Sequence, residues 1–405
     1  MPIKRLVQLF AVQGLAVIGP FIILPIIARS ASAAEWTSFV AGQSFGLFLA
    51  VVVSYGWNVT GVTTASRADD SERPRVFVQS VVVRSCLLGP VMLCGILIMG
   101  VIVRPPDLTV ALSVMAGFVV VTGLAINWFY VGIGKPLLLV FYGAVPMLGA
   151  GLLTAVLVTR GWTPAVHGPA FILFGMASLI IGSVREAGAS GATWRGELSL
   201  RAVAKYFSAH RSVAIAQVLT SSYWAIPMAF AAGLLPIREG AKYATTDRMV
   251  SVSNSVMISA SNVLQAWTSE ANAGRRAMRA SVATVGVGVI GGVTFGLVGE
   301  FLTGLLFGRQ VNLTEIAAWG VGLYIIAASV RLSANRYYLV PAQRYRPPLV
   351  SALTAVSVLS GLLAFSPLNS SASDVVIAFA VAEVCAATVE GWFAWARRAN
   401  LESED

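Results

Sequence analysis

The chain has 405 residues, of which 57% are hydrophobic and 11% charged, with a mean hydropathy of +0.79. Soluble globular domains carry about 25% charge and disordered chains are poor in apolar residues, so both classes are excluded; an outer-membrane barrel is excluded as well, because its strands read as short alternating segments. The formal charge of +10 is not a nucleic-acid signal here, since in a membrane protein the information lies in which connections carry the charge.

A helix that spans a bilayer takes about 20 mainly apolar residues, and the composition predicts an all-α integral membrane protein with twelve such helices. In the first half they run over Leu6–Ala28, Trp36–Thr60, Phe77–Val103, Leu108–Val131, Leu137–Thr159 and Ala165–Val184. In the second half they run over Ala209–Leu234, Ala241–Trp267, Ala280–Phe307, Leu313–Asn335, Leu349–Phe365 and Ser373–Ala396, which leaves no room for a soluble domain. The eighth span is the least hydrophobic. A basic tip, an apolar run and Ala31-Ser32-Ala33 can mark a cleaved signal, but Leu6–Ala28 is longer than a signal core and is broken by Gly19, Pro20 and Pro25. A kinked first membrane helix is expected instead. Cys86, Cys94 and Cys385 lie inside apolar stretches; an odd set of such thiols forms no disulfide framework, and small core residues are expected. Trp128, Tyr130 and Trp392, near span ends, are expected in the interfacial aromatic belts.

Short cytoplasmic connections collect Lys and Arg. The N-terminus, the even-numbered connections and the C-terminal tail hold 19 of them, while the opposite set holds six: Arg29, Arg104, Arg160, Arg238, Lys242 and Arg309. Both termini are therefore expected in the cytoplasm.

An internal repeat supports two halves. Asn127-Trp-Phe-Tyr-Val before Lys135-Pro136 has a counterpart in Asn335-Arg-Tyr-Tyr-Leu before Arg346-Pro347, 208 residues later. Pro25 in the first span and Pro227 in the seventh are 202 apart. Six spans separate the copies, so both halves run in the same direction, as in transporters whose parallel repeats move against one another around a midplane site. The expected domains are a six-helix bundle over 1–193 and a second over 194–405, with a central cavity and a basic linker between them. Packing alone is the other explanation of such a duplication.

Enzymatic chemistry has little to draw on. Two histidines, His167 and His210, cannot supply a His-based metal site or an acyl-transfer triad, and no Gly-x-x-x-x-Gly-Lys-Ser/Thr pattern is present. The glycines Gly286, Gly288, Gly291 and Gly292 lie in an apolar span, where they permit close helix contact. No enzyme, metal or cofactor is expected.

Ionisable groups at membrane depth are the sharper signal, because each costs about 2.5 to 3.5 kcal/mol on insertion scales and must face a cavity or a partner. Arg84, Arg248 and Arg331 lie within spans. In the eighth span, Asp247, Arg248, Ser251, Ser255, Ser259 and Asn262 form a polar arc that no lipid-facing helix would carry. Asp247 and Arg248 are neighbours, so on a helix their side chains diverge by about 100° and need not neutralise one another; Arg248 is the first candidate to meet an anion, the alternative being a structural carboxylate partner. Arg29 either reaches the outer mouth of the cavity or snorkels to the interface. Arg331 is expected to snorkel, and Arg84 either to bind or to snorkel. Glu383, with Glu390 two turns later, is a candidate carrier of a coupling H+ or Na+ alongside Asp247, or a partner for a buried arginine.

Leu24-Pro25-Ile-Ile-Ala28-Arg29, Gln43-Ser44 and Ser54-Tyr55-Gly56-Trp57-Asn58-Val-Thr60-Gly61 resemble the opening spans of polysaccharide flippases of the O-antigen translocase type, in the multidrug/oligosaccharidyl-lipid/polysaccharide exporter superfamily. Trp128-Phe-Tyr-Val-Gly-Ile-Gly-Lys135, Lys242-Tyr243-Ala-Thr-Thr-Asp247-Arg248, Leu305-Leu-Phe-Gly308 and Tyr337-Tyr-Leu-Val-Pro341 continue the likeness over most of the chain. The resemblance implies a cationic cavity that carries a polyprenyl-diphosphate-linked oligosaccharide to the outer leaflet of a bacterial cytoplasmic membrane. Its partners would be the bilayer and, within the pathway, a polymerase and glycosyltransferases. Arg29, Arg84, Arg248, Asn58, Ser251, Ser255 and Asn262 would touch that substrate. A cation about 4 Å from the diphosphate is worth roughly 4 kcal/mol at an effective dielectric of 20. A small-molecule or cation antiporter of the same superfamily is the first alternative, against which the span arginines argue; a membrane glycan polymerase is the second, against which the short outer connections argue.

Overall fold

The computed structural model describes residues 22–135, 138, 140–188, 200–268, 273–308, 311–339, 346–365 and 371–402, and among these every regular element is helical. After a helical stretch over 22–30, thirteen α-helices follow among the described residues, with short π-helical and 3-10 turns between some of them. They are α1 (Ala33–Ser54), α2 (Trp57–Arg67), α3 (Arg73–Leu97), α4 (Leu108–Gly123), α5 (Asn127–Gly132), α6 (Val145–Thr159) and α7 (His167–Gly188). The remainder are α8 (Leu200–Leu234), α9 (Ile237–Thr268), α10 (Ala273–Phe307), α11 (Glu315–Ala334), α12 (Arg346–Phe365) and α13 (Ala372–Glu402).

Ten helical segments among the described residues are long and apolar enough to cross a bilayer, and they coincide with the second to seventh and ninth to twelfth expected spans. The chain is a multi-pass membrane protein. Most of the first expected span lies outside the described residues. The eighth forms as the 32-residue helix α9 but is too polar to count among the ten.

Local chemistry sets several boundaries. The small-residue run at Ala31–Ala33 starts a helix: the Ser32 hydroxyl accepts from the Glu35 amide at 3.2 Å while the Ser32 amide donates to the Glu35 carboxylate at 2.8 Å, a capping box. The expected second span breaks in two where Tyr55 and Gly56 turn left-handed, with φ of 43° and 89°, the second a conformation that glycine adopts without strain. The second repeat copy forms the π-helical turn Asn335–Leu339 after α11, whereas the first forms the short helix α5 directly after a break over 124–126. Non-α backbone at membrane depth persists only where protein or a wet cavity covers it.

The chain divides into two compact units, Met1–Ala225 and Ile226–Asp405. In the first, α1 packs on α4 and α4 on α7. The approach is close because Gly42 has no side chain: a Cβ there would lie 2.4 Å from the Ala111 carbonyl oxygen, and one on Gly168 would lie 2.0 Å from that of Ser113. In the second unit α11 sits at the centre, against α10, α9 and α13, and α12 packs on α13. Gly288 and Gly292 bring α10 onto α11, as the sequence led one to expect of the glycine cluster, whereas Gly286 and Gly291 face no close neighbour.

The division falls inside α8. The expected boundary at 193/194 lies outside the described residues, but the reason that the first unit extends to Ala225 is visible: the Tyr206 ring stacks on Trp57 at 4.8 Å, Phe207 meets Tyr55 at 4.8 Å, and the Tyr55 hydroxyl donates to the Phe207 carbonyl at 3.1 Å. These contacts fasten the first part of α8 to the N-terminal unit.

Two expectations are corrected. Cys86 and Cys94 are exposed and Cys385 is half-buried, so none of the three is fully enclosed in the core. Trp128 and Tyr130 are core residues of the first unit, at 4% and 0% exposure; the helical break at 124–126 carries them inward. Trp392 is exposed.

Candidate functional site

In the N-terminal unit the candidate residues are not gathered. Arg29 is exposed at the end of the 22–30 stretch, and Asn58 is exposed on α2. Arg84, on α3, is 0% exposed. Its Nε donates to the Ser80 carbonyl at 3.0 Å, Nη2 to the Ser80 hydroxyl at 2.7 Å, and Nη1 to the carbonyls of Ala125 at 2.7 Å and Gly123 at 3.3 Å. The guanidinium carbon lies 6.0 Å from the centre of the Trp128 ring, at the limit of a cation–π contact. A planar group with five donors can serve several acceptors at once. Here α4 has ended at Gly123, and Arg84 satisfies carbonyls that the break would otherwise strand. Arg84 neither snorkels nor faces a cavity in this structure.

In the C-terminal unit, by contrast, charged residues from several helices converge. On α9, Arg248 is buried at 3% exposure and its Nη2 donates to the carboxylate of its neighbour Asp247. The expectation that the two would diverge is corrected: the backbone vectors separate, but the long arginine side chain folds back to reach the shorter one. Ser251 is half-buried and Ser255 exposed, each a turn further along the arc, and Asn262 is helical with its side chain outside the described residues. Arg331 on α11 donates from Nε to Oε1 of Glu383 on α13 at 2.6 Å. The expectation that Arg331 snorkels is corrected as well, since its guanidinium is held by a carboxylate on the adjoining helix. Glu383 is 0% exposed, and its Oε2 has no hydrogen-bond partner among the described residues.

Two turns along α13, Glu390 accepts from the Ser351 hydroxyl at 2.6 Å and from the Asn335 amide at 3.3 Å. The Tyr324 ring, stacked on Phe379 at 5.1 Å, lies within electrostatic reach of Glu383, Arg331, Asp247 and Tyr243. One largely buried arginine, Arg331, thus acts on two buried carboxylates, while Asp247 and Arg248 balance each other. Sequence reasoning named Glu383 from its depth in the last span, with Glu390 two turns later; it gave no such role to Ser351, Asn335 or Tyr324, whose part emerges only when α11, α12 and α13 are packed together. Such an array can hold or release a cation without exposing a net charge to lipid.

No protein-family model and no curated protein matches the chain. Its structure is similar to that of the lipid II flippase MurJ in an inward closed conformation, with a TM-score of 0.73 and 10% identity over 97% of this chain and 87% of that one. It is also similar to an inward-facing multidrug-resistance MATE family transporter of the MOP superfamily, with a TM-score of 0.65 and 13% identity over 97% and 99% of the two chains. A MOP superfamily transporter from Pyrococcus furiosus aligns with a TM-score of 0.60 and 13% identity over 98% and 95%. At these identities the likeness establishes a shared fold.

Proposed function

We propose that the chain is a flippase that carries a polyprenyl-diphosphate-linked oligosaccharide from the inner to the outer leaflet of a bacterial cytoplasmic membrane, with no enzymatic step. The single observation that carries the reading is α9, a helix of membrane-spanning length whose Asp247, Ser251 and Ser255 stay partly or wholly exposed; such a face needs water and hydroxyl-bearing cargo rather than lipid. The fold shared with a lipid II flippase supports it. Arg29, exposed at the end of the 22–30 stretch, is the cation proposed to meet the diphosphate first, followed by Arg248 on the polar helix α9. Glu383 and Asp247 are the proposed carriers of a coupling H+ or Na+. Both termini would lie in the cytoplasm, next to the transferases that build the glycan.

A second reading, a small-molecule antiporter, is favoured by one observation: Arg84, Arg248 and Arg331 all have acceptors within their own units, so they no longer argue against a cationic cargo. Proteoliposomes distinguish the two. A fluorescent polyprenyl-diphosphate oligosaccharide should become accessible to an external quencher faster than in empty vesicles, and Arg29→Ala should slow it. Transfer no faster than in empty vesicles, together with gradient-driven export of a cationic dye, would replace the first reading with the second. Glu383→Gln should flatten the dependence on the ion gradient; an unchanged dependence removes Glu383 from the coupling site.

A further inference from the structure

In the N-terminal unit a groove of about 500 Å³ that the cargo reading does not use lies between the start of α6 and α7. Its walls are Phe141 and Val145 before and within α6, and Phe174 and Ile181 on α7, with Pro146 at its floor and Arg185 at one end. The groove exists because the chain enters α6 through the π-helical turn Val140–Ala144 followed by Pro146, so α6 cannot lie flush against α7 from its first turn. The Ser178 hydroxyl, inside the groove, donates to the Tyr142 carbonyl at 2.8 Å. That bond leaves the walls apolar.

Charge and length identify the occupant. At the Arg185 end, Glu186 is 16% exposed and within electrostatic reach of the buried Tyr130, whereas Arg185 is 51% exposed and within electrostatic reach of Tyr142. The two side chains lie 3.7 Å apart and the cation is the more exposed of the pair, so it is the charge presented at this end of the groove. From Phe174 to Arg185 is about 16 Å along the helix at 1.5 Å per residue, roughly half of a 30 Å hydrocarbon core. The groove therefore has the length of one leaflet, with its cation at headgroup level. The connection that begins at Arg185 is the most basic in the chain, which puts it on the cytoplasmic side, where anionic lipids concentrate.

We propose that this groove is a binding site for one anionic phospholipid of the cytoplasmic leaflet, with an acyl chain between Phe141 and Ile181 and the phosphate at Arg185. The site is independent of the cargo and holds whether the protein flips a glycolipid or exports a small molecule.

The test uses the full-length protein in nanodiscs containing phosphatidylglycerol or phosphatidylcholine with a photoreactive group on the same acyl position. Phosphatidylglycerol should label the α6–α7 groove about fivefold more than phosphatidylcholine, the preference that one basic side chain near the surface supplies. Arg185→Gln should bring that ratio close to one and Arg185→Lys should keep it. Ile181→Trp, which fills the groove, should reduce labelling by both lipids. Ile290 and Leu297 of α10, each 70% exposed, serve as the comparison within each sample. Equal labelling of α10 and the groove, or an anionic preference unchanged in Arg185→Gln, would overturn the proposal, as would full labelling in a folded Ile181→Trp protein.

Discussion

Arg331 and Glu383, 52 residues apart in sequence, meet at 2.6 Å through Nε and Oε1 and join α11 to α13 inside the C-terminal unit. Glu383 is inaccessible and the Arg331 side chain is 18% exposed, so neither charge has ready access to water if its partner is removed. Removing one member of a buried pair typically costs about 3 to 5 kcal/mol, whereas replacing both with apolar groups of similar size is often neutral. Arg331→Met and Glu383→Leu alone should each lower stability by about 3 kcal/mol, and the double variant should recover most of the loss. Thermal unfolding in detergent gives the comparison; losses that simply add would show that the pair is not coupled.

Arg84 is expected to act on stability and not on cargo. Arg84→Met strands the Gly123 and Ala125 carbonyls and should lower stability by about 3 kcal/mol, with Arg84→Lys recovering only part because an ammonium lacks the planar fork. Transport per folded molecule should stay near that of the parent protein. A variant that keeps its stability and loses transport would instead return Arg84 to the substrate path.

The α10–α11 contact gives a paired test. A Cβ on Gly322 would lie 2.4 Å from the Gly292 carbonyl oxygen, while one on Gly286 would meet nothing within 4 Å. Gly322→Ala should therefore lower stability by about 1 to 3 kcal/mol through forced separation of the helices. Gly286→Ala should be neutral or raise it by up to about 1 kcal/mol, since alanine orders a helix interior better than glycine. Equal effects at the two sites would mean that the close approach does not exist.

Tyr206→Ala removes the ring stacked on Trp57 and should release the first part of α8 from the N-terminal unit. The loss should be about 3 kcal/mol, the range for a buried aromatic cut back to alanine, with faster amide exchange over 203–214. Trp392→Ala, at an exposed position, should change stability by less than about 0.5 kcal/mol. Unchanged exchange in α8 would show that this helix is held by other contacts.

The wet face of α9 can be read by labelling. In a chain with Cys86, Cys94 and Cys385 replaced, Ser251→Cys and Ser255→Cys should react with a membrane-impermeant maleimide, and Val250→Cys, at a position 3% exposed, should not. Three equal rates would remove the polar arc as a water-facing surface.

Hydropathy determined where helices of membrane length form, because transfer from water to hydrocarbon is a local property that adds residue by residue along a window. It therefore placed ten segments, and even the polar character that separates α9 from them was legible in Asp247, Arg248 and the serines. The Gly288 and Gly292 contacts were legible for a related reason, since the absence of a side chain is written in the residue itself. Pairing is a different kind of quantity. Arg331 could snorkel or find a carboxylate, Arg84 could bind an anion or a set of carbonyls, and Glu383 could face a cavity or an arginine; each choice depends on which helix faces meet, and that follows from packing at atomic distances rather than from spacing along one chain. Only the tertiary structure put Ser351 and Asn335 on Glu390, turned Trp128 and Tyr130 inward, and carried the edge of the first unit into α8. The energy that decides those matters is short-ranged between residues far apart in sequence, so it becomes definite once the helices are side by side.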